Sequence, residues 1–69
     1  MKKLITIRKK HGFTQRELAR RMGVTQSSLA QYETGARKPN IVMLKKLAAI
    51  LDCTTDQLLE DIEIKEANT

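Results

Sequence analysis

The chain has one cysteine, Cys53, and so cannot close a disulfide within itself. A fold held by cross-links is excluded. It has one Phe, one Tyr and no Trp, so the core must be aliphatic, and a sandwich or barrel of aromatic, β-branched strands is disfavoured. No apolar run approaches the roughly 20 residues of a membrane span. The basic opening stretch MKKLITIRKK lacks both a long apolar segment and a cleavage site, unlike a signal peptide. A soluble, cytoplasmic chain with no membrane partner is expected. His11 is the only histidine, with no Cys or carboxylate at ligand spacing, so neither a metal nor a cofactor is expected. Asp52, Asp56 and Glu60 are spaced by four but interrupted by a turn, and read as an exposed acidic edge. There is no Ser/His/Asp or Cys/His arrangement, no phosphate-cradling glycine loop and no carboxylate pair backed by a cleft. An enzyme is the poorest reading.

Acidic residues are scarce in the first two thirds of the chain. Met1 to Lys46 carries twelve Lys/Arg against two acids, a net +10, whereas Leu47 to Thr69 carries one Lys against six acids, a net −5. Such polarity suits a basic face toward a polyanion and an acidic end turned away from it. Charge alone does not separate this from a solvated surface. Sixty-nine residues make one small domain that buries roughly 60% of its unfolded surface. Residues 1–60 form that domain, and 61–69 an acidic tail, flexible or part of a dimer contact.

The pattern is helical up to the tail. A first helix spans about Lys2 to His11, with Leu4, Ile7 and His11 at helical spacing and Gly12 as its stop. Thr14-Gln15-Arg16-Glu17 is a capping box, and Phe13 with Leu18 makes a hydrophobic staple. The second helix runs to about Met22, Gly23-Val24 turns the chain, and Thr25 caps a third helix ending near Glu33 and Gly35. Leu18, Met22, Val24, Leu29 and Tyr32 supply the apolar positions, and Ala19 allows close crossing. After the basic loop with Arg37, Lys38 and Pro39, Asn40 caps a fourth helix over about Ile41 to Leu51. Its stripe is Leu44, Leu47, Ala48 and Leu51. Thr54 and Gln57 stand in capping-box register before a short fifth helix carrying Leu58 and Leu59. Ile62 and Ile64 alternate in the tail, a weak hint of a strand.

Two helices joined by a tight glycine turn, the second with Gln26, Ser27, Ser28 and Gln31 outward, are laid out as a DNA-reading helix-turn-helix. The chain resembles the lambda-repressor-like DNA-binding domains of the phage repressor, Cro and XRE type. The resemblance covers about Leu4 to Leu59. It is carried by Gln15 with Leu18-Ala19, Gly23-Val24-Thr25, Leu29, Glu33-x-Gly35, Pro39, Leu44-x-x-Leu47-Ala48-x-x-Leu51 and Leu58-Leu59, all in register. It implies a compact, all-α, five-helix domain with the motif in helices 2 and 3. It further implies that Gln26, Ser27 and Gln31 read base edges, and that Thr14, Gln15, Thr25, Thr34, Arg37 and Lys38 meet the DNA backbone. Arg8 and Glu33 match a pair that, in some members, ties helix one to the end of helix three.

The chemistry of the residues is compatible with these roles. A glutamine carries both donor and acceptor, so Gln26 can bond N7 and N6 of adenine, worth about 1–3 kcal/mol of discrimination. Ser27 is short and reads either base class. Arg and Lys on phosphates provide affinity and register without sequence information. An ordinary solvated face is the alternative for Gln26 and Ser27, and for Arg16, Arg20 and Arg21. Tyr32 completes the apolar pattern and reads as core.

The expected function is transcriptional regulation, as a repressor on double-stranded DNA. A homodimer on a pseudo-palindromic operator would space its half-sites by about 34 Å. Leu58, Leu59, Ile62 and Ile64 are the expected dimer contact. Two alternatives share the fold: an antitoxin whose acidic tail binds a protein partner, and a restriction-modification controller.

Overall fold

Every helix after the first begins at a residue whose side chain closes its own first turn. The computed structural model describes residues 1–60 and has five helices: α1 (Lys2–Lys10), α2 (Gln15–Met22), α3 (Gln26–Thr34), α4 (Ile41–Ile50) and α5 (Thr55–Leu58). Thr14, Thr25, Asn40 and Thr54 each accept from a backbone N–H three residues on, satisfying a donor the helix leaves open. The boxes at Thr14–Glu17 and Thr54–Gln57 are both reciprocal. No strand occurs among the described residues. Ile62 and Ile64, with the rest of the acidic tail, lie outside them.

Helix ends follow one lock with different residues. At Gly23 (φ 73°) the chain turns left-handed, and the Val24 N–H donates back to the Ala19 carbonyl at 3.0 Å. The end of α4 makes the same closure without glycine: Asp52 takes φ 51°, and the Cys53 N–H reaches the Ala48 carbonyl at 2.9 Å. Aspartate is among the few non-glycine residues that visit this region routinely. Cys53 is half-buried, and burial followed by the neighbouring Asp52 charge pushes its thiol up. It behaves as a small apolar filler rather than a thiolate.

The core is aliphatic and draws on every helix. Leu4, Leu18, Met22, Leu29, Leu47, Leu51 and Leu58 are fully buried, with Met1, Ala19, Tyr32 and Ala48 around them. Each large side chain contributes about 1.5–3 kcal/mol through loss of apolar surface to water. Val24 and Leu44 are half-buried against this cluster, as is Phe13 from the loop before α2. The Arg21 guanidinium covers the Phe13 ring at 5.0 Å from its centroid, a cation–π contact that takes Arg21 out of the class of merely solvated charges.

One expectation needs correction. α1 buries Leu4 and Arg8, with Met1 buried just before it; Ile7 is half-buried, and His11, exposed, is the residue at which α1 ends. Leu58 is fully buried and so is not a surface available for dimer contact. Its side chain is already consumed in closing the monomer's core beneath α5. Leu59 is half-buried against the same core.

Candidate nucleic-acid interface

α3 has two unlike faces. Leu29, Tyr32 and Glu33 are buried, whereas Gln26, Ser27, Gln31 and Thr34 are exposed. Ser27, Gln31 and Thr34 fall at i, i+4 and i+7, one straight stripe, with Gln26 beside its N-terminal end. Nothing apolar interrupts this stripe, so burial alone does not explain its residues.

The loop after α3 continues the polar surface. Gly35 ends the helix at φ 87°, a conformation that side chains with a Cβ rarely adopt. The Gln31 carbonyl then gathers the N–H groups of Gly35 at 3.1 Å and Arg37 at 3.2 Å, with the Thr34 hydroxyl at 3.2 Å. Arg37 and Lys38 are exposed on a backbone thus tied to the helix they follow. At the other end, Thr14 and Thr25 are exposed. The Thr14 oxygen accepts from the Glu17 N–H at 3.0 Å, and Thr25 accepts from the Ser28 N–H while donating to the Ser28 hydroxyl, both at 3.0 Å. Glu17 returns the bond to the Thr14 N–H at 2.9 Å. That backbone bond first, and the Thr14 side chain second, hold its carboxyl below the usual carboxylate range.

Behind the stripe runs a chain of hydrogen bonds from α1 through α3 and α2 and back to α3. Arg8 Nε donates to Glu33 Oε2 at 2.6 Å, and Arg8 Nη1 donates to the Phe13 carbonyl at 2.9 Å. Gln15 Nε2 donates to Glu33 Oε1 at 2.8 Å, and Gln26 Nε2 donates to Gln15 Oε1 at 3.3 Å. Arg8 and Glu33 are 9% and 5% exposed, Gln15 is half-buried and Gln26 is exposed. The path leads from the interior to the surface. No buried side-chain nitrogen or oxygen among the described residues lacks a partner, the condition under which a buried ion pair is tolerable.

Sequence reasoning paired Arg8 with Glu33 through a resemblance, and by the same resemblance set Gln15 against the DNA backbone. It missed the bonds that link Gln15 to Glu33 and Gln26 to Gln15. One signal was available: Arg8 stands four residues after Leu4, on the face that α1 buries. Also unforeseen are the bonds from the Met1 nitrogen to the carbonyls of Tyr32 at 3.3 Å and Glu33 at 3.0 Å. Among the described residues no group of three or more His, Cys, Asp or Glu could hold a metal ion. No helix among them is long and apolar enough to cross a membrane.

Comparison with known proteins fits this geometry. Residues 4–58 match the helix-turn-helix family. The chain is 34% identical over 67 residues to the HTH-type transcriptional regulator ImmR of Bacillus subtilis (strain 168), covering 97% of this chain and 53% of that protein. It is 37% identical over 57 residues to the HTH-type transcriptional regulator AnsR of the same organism, covering 83% of this chain and 49% of that protein. An SPbeta prophage-derived uncharacterized HTH-type transcriptional regulator, YonR, also from that organism, is 37% identical over 49 residues, 71% of this chain and 45% of that protein. The chain thus spans about half the length of the relatives it matches. No solved structure matches it. By its matched residues, its relatives and its five-helix architecture, this chain belongs to the lambda-repressor-like, Cro/C1-type helix-turn-helix family of DNA-binding transcriptional regulators.

Proposed function

We propose that the chain is a sequence-specific DNA-binding regulator, a repressor that occupies a pseudo-palindromic operator as a homodimer in the cytoplasm. The observation that carries this reading is the exposed stripe of α3, polar along its length and backed by a fully packed face. In this reading α3 lies in the major groove, and Gln26, Ser27 and Gln31 meet base edges. Thr14, Gln15, Thr34, Arg37 and Lys38 contact the phosphates on either side, and Thr25 joins them by turning its hydroxyl proton away from Ser28. The phosphate contacts set register and affinity; the bases set sequence. A single domain of this size offers a small interface, and a dimer with half-sites about 34 Å apart supplies the rest.

The test is a gel-shift series on genomic fragments at fixed salt, comparing wild type with the Gln26→Ala, Ser27→Ala double variant. Loss of preference among fragments, with weak general binding retained, is the expected result. A double variant that keeps the wild-type ranking sinks the assignment of α3 as the reader. Sedimentation of the protein with one operator fragment separates a dimer from a monomer on the site.

A further inference from the structure

We propose that Glu33 is a positioning residue for base specificity: through Gln15 it sets which end of the Gln26 side-chain amide is donor and which is acceptor. The inference rests on the reading that Gln26 meets a base. It goes further by assigning the choice of base to a buried carboxylate that touches none.

The geometry fixes the direction of the path. Glu33, as a carboxylate, only accepts, and Arg8 holds its Oε2 at 2.6 Å. The group facing Oε1 must therefore donate, so Gln15 turns its Nε2 there, at 2.8 Å. An amide has one oxygen and one nitrogen, and with the nitrogen committed Gln15 presents Oε1 to α3. Gln26 can answer only with a donor, which it does through Nε2 at 3.3 Å. One N–H and the carbonyl oxygen of Gln26 remain for the groove, in a fixed order along the amide edge. A donor beside an acceptor matches adenine, which offers N7 as acceptor and N6–H as donor. A free glutamine could turn over and present the reverse order. Here the turn-over would set oxygen against oxygen, at Gln15 if Gln26 turns alone or at Glu33 if Gln15 turns with it.

Glu33→Gln inverts the path without removing it. Arg8 only donates, so the new amide must place its oxygen toward Arg8 and its nitrogen toward Gln15. Gln15 then accepts with Oε1 and donates to Gln26 with Nε2, and Gln26 must accept. The donor and acceptor ends of the Gln26 amide exchange places. Adenine N7 then faces an oxygen, as guanine N7 would, and thymine, with O4 as acceptor and a methyl group in place of N7, is favoured instead.

The test is selection of bound sites from a randomised DNA pool by wild type, Glu33→Gln and Gln26→Ala, with thermal unfolding of each protein alongside. Gln26→Ala locates the position that Gln26 reads. At that position wild type is expected to select adenine, and Glu33→Gln to reduce adenine relative to thymine by about ten-fold, with the other positions unchanged. Retained adenine preference in Glu33→Gln overturns the inference, as does a wild-type preference for another base there. A loss spread evenly over all positions also overturns it, since that marks a merely structural role. If Gln26→Ala changes no position, the reading of Gln26 as a base contact fails instead. Should Glu33→Gln not fold, the double variant Arg8→Met, Glu33→Leu decides. A flattened preference at that one position supports positioning by Glu33, and an intact one overturns it.

Discussion

Between α1, α2 and α3 a hydrogen-bonded path joins Arg8, Glu33 and Gln15, whereas α4 and α5 join the molecule through Leu47, Ala48, Leu51 and Leu58 with no buried polar side chain of their own. Both halves close the same core, and the physical consequences differ. Aliphatic packing is non-directional and tolerates any arrangement of about the right volume. A buried carboxylate with both oxygens committed allows one arrangement of donors and acceptors around it. The α4–α5 half provides cohesion, and the α1–α3 half also has orientation to transmit, because its path ends at Gln26 on the exposed face. One ion pair ties Lys3 to Glu60 at 3.3 Å, but both partners are well exposed and such pairs contribute little.

The contrast can be broken most forcefully at Glu33. Glu33→Ala leaves the Arg8 guanidinium buried without its counter-charge, with only the Phe13 carbonyl to accept from it, and urea unfolding should register a loss of about 3–5 kcal/mol. A cost no larger than an ordinary surface substitution would mean that water already solvates the pair. Leu47→Ala, in the other half, removes a fully buried side chain and should cost about 2–5 kcal/mol in the same measurement. The folded fraction should keep its base preference, since no directional contact is lost. A changed preference in Leu47→Ala would erase the distinction between the halves.

Replacing both members of the pair, as Arg8→Met with Glu33→Leu, sharpens the comparison. Stability by thermal melts should return to within about 1 kcal/mol of wild type, because an apolar pair of similar volume avoids the desolvation cost. Sequence preference should not return with it. The smallest effect concerns the two capping boxes. That of α2 uses Glu17, a carboxylate, and that of α5 uses Gln57, which does not titrate. The Glu17 value is depressed on folding. Its contribution is therefore fully present above the ordinary glutamate range, roughly pH 4–5, and is lost as pH falls through the depressed value. Amide protection in the first turn of α2, taken relative to the intrinsic exchange rate at each pH, should fall on acidification through that window, with protection in the first turn of α5 unaffected. Glu17→Gln should abolish the difference, and equal responses at the two boxes would point to a global rather than a local event.

Much of this was legible in the residues. Caps at Thr14, Thr25, Asn40 and Thr54 are local chemistry, each needing only its own first turn, and they placed four helix starts. The polar face of α3 showed as a gap in the apolar pattern. Leu58 was misjudged as interface because a short helix at the end of a pattern gives no sign of what lies beneath it.

The sequence by itself determined the helices of residues 1–60, their turns and an aliphatic core, since those follow from neighbours within a few residues. Only the tertiary structure decided that Gln15, eighteen positions from Glu33, shares that carboxylate with Arg8. The reason is that hydrogen bonds are directional. Whether a glutamine amide offers its nitrogen or its oxygen depends on the group opposite, and packing alone brings that group there.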